Sequence, residues 1–305
     1  MAIKRKVVSR DNAIYHFCPT MVPIKMIRPG EIISIETNDC FRQQITSEDQ
    51  AFLGLDHETL NPATGPVYVE GAEPGDLLRI EIMEIDVDNK GVVVIAPGEG
   101  ILGDQIRDPL IKVVNIVNNK ALLCGTALPI KPMIGVIGVA PRSECGKWAT
   151  ETPWKHGGNM DTKDILAGST LYLPVNQKGA LLALGDCHAI MGDGEICFTG
   201  LEVPATVTLK IDFVKNKTSQ WPLLETSRET MVIVSGDDLE QAVYVATDQA
   251  TNLIKDGLQI KWAEAYILAG LVVDIKISQV VNPKVTVRAA IPNFVISTEQ
   301  IIESL

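Results

Sequence analysis

Two four-residue segments, Arg28-Pro29-Gly30-Glu31 and Glu73-Pro74-Gly75-Asp76, each run directly into a long apolar-rich stretch, Ile32 to Phe41 and Leu77 to Val87. Pro followed by Gly fits the two central positions of a type II turn, because Pro fixes φ and Gly supplies a positive φ. Each segment reads as a turn that launches a strand. Further strands follow at short spacing, at 91–96, at 112–117 and, across an Asn118-Asn119 turn, at 121–124. Residues 1–125 thus read as an all-β, sandwich-like domain. No Walker pattern is present, which removes the common P-loop phosphate-cradling fold.

Residues 126–305 carry β runs too, at 134–140, 169–175, 180–184, 205–214, 230–234 and 271–281, with one clear helix between the last two. Asp237 with Glu240 resembles a capping box, Leu239, Ala242, Val243, Ala246, Ala250, Leu253 and Ile254 form a helical stripe, and Gly257 ends it. A second short helix is expected over 262–269. This half reads as α/β or α+β, with helices laid on a sheet, and the boundary falls near 126–130 or in the loop-like 142–164.

A net charge of −11 argues against nucleic acid and anionic membranes, both of which need clustered Lys and Arg. No apolar run reaches the roughly 18 residues needed to cross a bilayer, and the basic N-terminus lacks the apolar stretch of a signal peptide. The expected location is cytoplasmic. Six cysteines without a C-x-x-C pair suggest neither a disulfide framework nor a cysteine-rich zinc site.

The densest chemistry lies at Gly185-Asp186-Cys187-His188-Ala189-Ile190-Met191-Gly192-Asp193-Gly194-Glu195, directly after the apolar run 180–184. On a strand, Leu182, Leu184, Asp186 and His188 share a face, with Cys187 on the other. A carboxylate and a neutral imidazole so placed can hold one divalent metal ion; the alternative is a loop of solvated acids beside a core histidine.

Four segments in order along the chain resemble the acetamidase/formamidase family of metal-dependent amide hydrolases. They are Glu36-Thr37-Asn38-Asp39-Cys40-Phe41, the run from Asn61-Pro62-Ala63-Thr64 to Pro74-Gly75-Asp76, His156-Gly157-Gly158-Asn159-Met160-Asp161-Thr162-Lys163, and the Asp186/His188 cluster. The resemblance implies an N-terminal β domain followed by a layered α/β/α domain, a divalent metal, a homo-oligomer, and hydrolysis of a short amide such as formamide or acetamide to carboxylate and ammonia.

Under that resemblance Asp39 joins Asp186 and His188 as a metal ligand; an ion pair with Arg42 or Lys163, or an exposed strand end, are the alternatives. Zinc is preferred for this donor set, with calcium or manganese also compatible. Gly158 allows close backbone approach to a substrate, and Asn159 offers a donor and an acceptor that match an amide. Asp161 and His156 are candidates for proton transfer or ligation, and Glu144 for the general base. Glu202 is either a buried partner of the site or a strand-surface acid, and Asp193 and Glu195 shape a glycine turn. Two rival readings remain: a covalent amidase using Cys145 beside Glu144, and a non-catalytic, metal-stabilised binder of small molecules.

Overall fold

The computed structural model describes residues 6–305, so Lys4 and Arg5 of the basic N-terminus lie outside the described residues. Both Pro-Gly turns form as read. Gly30 and Gly75 have φ of +77° and +96°, and the turns close through Glu31 N–H to Arg28 O (3.2 Å) and Asp76 N–H to Glu73 O (3.0 Å). They launch the strands Glu31–Thr37 and Leu77–Val87, which flank Ala205–Val214 on its two edges. Hydrogen bonding therefore runs across the expected division at residue 125.

These strands belong to a nine-stranded sheet whose order is Lys6–Val8, Glu31–Thr37, Ala205–Val214, Leu77–Val87, Thr170–Pro174, Leu223–Glu225, Glu229–Gly236, Val285–Pro292, Asp274–Gln279. Only the first pair is parallel. A second sheet is built from Gly157–Asn159, Met133–Gly138, Leu182–His188, Ala63–Val69 and Ala13–Ile14, with Lys25–Ile27 paired in parallel to Ala63–Val69. Ile33, Ile35, Ile80, Ile82, Val207 and Leu209 of the first sheet pack against Val67, Ile134, Leu182 and Leu184 of the second. Each such fully buried side chain contributes roughly 1.5–3 kcal/mol of transfer free energy. A small hairpin sheet spans Lys90–Ile95 to Thr126–Pro129, and its Asn118-Asn119 turn has positive φ at both residues, as a two-residue hairpin loop requires.

Period-2 alternation lets the far part of the large sheet bury both faces. Leu224, Met231, Ile233 and Ala290 face the sandwich, whereas Leu223, Val232, Val234 and Ala289 face the helices. Helix α1, Leu239–Leu258, covers that outer face with Ala242, Ala246, Ala250 and Ile254, the stripe read from the sequence. Its N-cap is Asp238 rather than Asp237, accepting from Gln241 N–H at 2.8 Å, and it ends at Gln259 in the left-handed region, not at Gly257. Gly257 instead lies where an added Cβ would strike Ile296 Cδ1. Helix α2 runs from Trp262–Val272 and a short helix α3, Thr298–Ser304, was not anticipated. Among the described residues the molecule is mostly β with these three α-helices. No helix among the described residues is long and apolar enough to cross a membrane.

The second Pro-Gly turn is tied down by Asp76, which is 2% exposed and accepts from Glu73 N–H (2.9 Å), Asn216 N–H (3.0 Å) and Lys215 Nζ (2.8 Å). Burial alone would raise its pKa, but Lys215 and the two backbone donors outweigh burial and hold it below 3.8. Its stabilising effect is present above 3.8 and lost as pH falls through the lowered folded-state value. Asp76→Asn is expected to cost about 1–3 kcal/mol at pH 7 and to flatten the acid limb of stability, measured by urea unfolding at pH 7 and pH 3. Equal stability of the two proteins at pH 7 would refute this role.

Candidate functional site

Strand Leu182–His188 runs through the middle of the second sheet, between Met133–Gly138 and Ala63–Val69, with all seven residues buried. Its alternation breaks at one point. Leu182 and Leu184 face the sandwich core as expected, but the next residue on that face is Cys187. The cause is Asp186, whose backbone sits at φ +51°, shifting the side-chain phase by one residue. Asp186 and His188 are thereby turned off the core row, and Cys187 Sγ accepts from Thr37 Oγ1 at 3.6 Å within it.

Four carboxylates converge on His188. Its Nε2 lies 3.2 Å from Glu202 Oε2, 3.4 Å from Asp186 Oδ1, 3.9 Å from Asp161 Oδ1 and 4.0 Å from Glu195 Oε1. All five side chains are buried. None of these approaches has hydrogen-bond geometry, so Asp161 Oδ1, Asp186 Oδ1, Glu202 Oε2 and both His188 nitrogens have no hydrogen-bond partner. Ligand atoms come within 4.8 Å of one another in three overlapping groups: Asp161, Asp186 and His188; His188, Glu195 and Glu202; and Cys40, Asp186 and Glu202.

Asp186 and His188 share strand Leu182–His188, and the other three carboxylates come from other segments. Asp161 follows strand Gly157–Asn159 at φ +39°, its N–H donating to Gly135 O (3.3 Å), and its Oδ2 accepts from Asn282 Nδ2 at 2.6 Å. Asn282 is held by Gln279, whose Oε1 accepts from the N–H groups of Val281 and Asn282, each at 2.9 Å. Glu195, at φ +47°, accepts from Gly200 N–H at 3.1 Å, and Glu202 is fixed by paired backbone bonds to Val92. Gly200 leaves room for the His188 ring, since an added Cβ would lie 2.7 Å from Nδ1.

Crowding acids in a dry site shifts their titration. Burial, with the Asp186 charge, pushes Asp161 up to about 6; burial and the Asp186 charge push Glu202 up to about 8 against the pull of His188. Burial and Asp161 raise Glu195 in the same direction. Burial would lower His188, but the charges of Glu202 and Asp186 carry it well above 6.5. The arrangement is a concentration of negative charge that a bound cation would neutralise.

Of the residues singled out in the sequence, the structure brings together Asp161, Asp186 and His188, with Asn159 on the wall of the same cavity. Glu195 and Glu202, read as turn and site-or-surface acids, both belong to the cluster; Asn282 gave no sequence signal, and Cys40 stood only as a member of the Glu36 to Phe41 segment. Asp39 is 4% exposed and pushed up to about 6 by burial, with Asp186 a further contributor, but its Oδ1 accepts from Gln43 N–H at 2.7 Å. It stands beside the ligand groups rather than among them. Gly158 serves packing: at φ +92° an added Cβ would meet Thr152 O at 2.5 Å. His156, exposed Glu144 and exposed Cys145 line a different cavity, and Cys187 is pushed up to about 12 by burial.

Residues 3–152 and 147–298 match the Acetamidase/Formamidase family. The chain is 24% identical to a formamidase of Methylophilus methylotrophus over 317 positions, covering 80% of this chain and 77% of that one. It is 42% identical to a crystallised acetamidase of Bacillus halodurans, with a TM-score of 0.92 over 94% of this chain and 97% of that chain. A predicted acetamidase/formamidase of Thermoanaerobacter tengcongensis is 39% identical, with a TM-score of 0.94 over 97% and 98% of the two chains.

Proposed function

Because the chain belongs to the acetamidase/formamidase family and is an amidase acting on amide C–N bonds, we propose that it hydrolyses short aliphatic amides in the buried cluster around His188. The observation that carries this reading is the set of four carboxylates about one imidazole with five buried polar atoms lacking partners. Such a donor set fits a divalent cation, held by Asp161, Asp186 and His188; zinc suits the imidazole, and calcium or manganese suit the oxygens. A cation bound there would acidify water and polarise the amide carbonyl.

The remaining residues supply orientation and proton transfer. Asn159 Oδ1, buried and without a partner, can accept an N–H of the amide. Glu202 and Glu195, 3.2 and 4.0 Å from His188 Nε2, can take the proton of the attacking water, then return it to the departing nitrogen. A C–O bond forms as the C–N bond breaks, giving carboxylate and ammonia.

The test joins metal analysis to ammonia release from formamide, acetamide and propionamide before and after chelation. Activity should fall with metal content and return with one divalent ion, and thiol alkylation should leave most of it. Full activity after complete chelation would contradict the reading, whereas loss on alkylating Cys145 with metal retained would favour the covalent rival.

Substrate size follows from the cavity, which is about 110 Å³ and lined by Asn61, Asn159, Asp186, Glu195, Glu202 and Asn282 among others. Each methylene that does not fit costs ~1–3 kcal/mol in transition-state binding. Formamide and acetamide should exceed benzamide in kcat/KM, and equal turnover of benzamide would eliminate the small-site idea.

A further inference from the structure

A second cavity, of about 200 Å³, opens beside the turn Ser143–Cys145 and shares no lining residue with the cavity of the acid cluster. His156 lines it, 2% exposed and with neither ring nitrogen hydrogen bonded. The ring is wedged between Phe17 at 5.1 Å and Trp148 at 5.8 Å between centroids. Burial pushes its pKa down to about 3, so the imidazole is neutral and presents one donor and one acceptor. Leaving such atoms unpaired costs about 1–3 kcal/mol, so the groove is built for an occupant with its own polar atoms.

The rim carries two cations, Arg142 and Lys155. Both are held by neutral groups: Arg142 Nε donates to Asn176 Oδ1 at 3.4 Å, and Lys155 Nζ lies 5.3 Å from the centroid of the Trp221 ring. Among the described residues neither makes an ion pair with a carboxylate. Trp154, stacked on Trp148 at 5.8 Å, gives the cavity a flat apolar wall. Glu144 lies on the same lining and disfavours a second negative charge on any ligand.

We propose that this cavity is a second small-molecule site, which takes a monocarboxylate carrying a hydroxyl group. The carboxylate sits between Arg142 and Lys155, and the hydroxyl pairs with His156. The proposal does not depend on the chemistry assigned to the acid cluster.

Glycolate is the probe, with ethylene glycol and malonate as controls, titrated into the full-length protein by calorimetry and tryptophan fluorescence. The expected result is saturable glycolate binding in the millimolar range, weakened at least tenfold by Arg142→Gln or Lys155→Gln and unchanged by Asp186→Asn. Ethylene glycol should not bind and malonate should bind more weakly. Absence of saturable binding, binding retained in the Arg142→Gln/Lys155→Gln double variant, loss in Asp186→Asn, or malonate binding as tightly as glycolate would each overturn it. Ammonia release by Arg142→Gln should match the unaltered protein, which keeps this outcome separate from the amidase reading.

Discussion

Asp186→Asn is expected to lower amide hydrolysis at least about 100-fold and bound metal in parallel, with His188→Ala close behind, because loss even of a residue supporting a metal ligand typically costs 10–100-fold. Both side chains belong to the tight Asp161, Asp186 and His188 group, and both carry buried atoms with no protein partner to hold them. Stability should respond with the opposite sign in metal-free protein. The Asp186 charge raises Asp161, Glu195 and Glu202, so removing it relieves three repulsions against the one attraction lost to His188, and the metal-free variant is expected to be at least as stable as its parent. With saturating metal the order reverses, since a ligand bound only by the native state adds RT ln(1 + [L]/Kd). Thermal melts with and without metal, read beside the ammonia assay, separate these effects. Full metal content and full activity in either variant would show that its residue does not belong to the site.

Local signals carried many of the individual strands and turns. Pro-Gly turns, the Asn118-Asn119 hairpin and the α1 stripe depend on residues within one or two turns of each other, and each forms where the sequence put it. The pairing of Glu31–Thr37 and Leu77–Val87 with Ala205–Val214 did not show, because a strand's partner leaves no trace in its own alternation. The same limit applies inside the site. Period-2 reasoning placed Asp186 and His188 together but assigned Asp186 to the Leu184 row, and only the positive φ at Asp186 corrects the phase. Glu202 sits between Leu201 and Val203 in a buried bridge to Val92, where nothing in the residue types separates a ligand from a surface acid. His156 and Asp161, both read as candidates for proton transfer or ligation, lie on either side of strand Gly157–Asn159: Asp161 joins the acid cluster, whereas His156 lines the cavity beside Ser143–Cys145.

Gly135→Ala should abolish most activity without touching any chemical group. Gly135 sits in strand Met133–Gly138, bracketed by the two site acids: an added Cβ would collide with Asp161 Oδ1 and lie 2.7 Å from both Asp186 O and Asp186 Oδ2. Its φ is not in the left-handed region, so alanine meets no backbone penalty and the effect is steric alone. The neighbours cannot yield cheaply, since Asp161 is pinned by Asn282 and Asp186 by its strand. Displacing the ligand carboxylates by about 1 Å should cost on the order of 100-fold in kcat/KM, and overpacking about 1–3 kcal/mol in stability. Gly192→Ala is the matched control: it lies on the loop leading to Glu195, an added Cβ there meets nothing within 4 Å, and it should change stability by no more than about 0.5 kcal/mol. Metal content decides the interpretation. If Gly135→Ala keeps both its metal and its turnover while Gly192→Ala does too, the space between Asp161 and Asp186 is not where the ion and the amide meet.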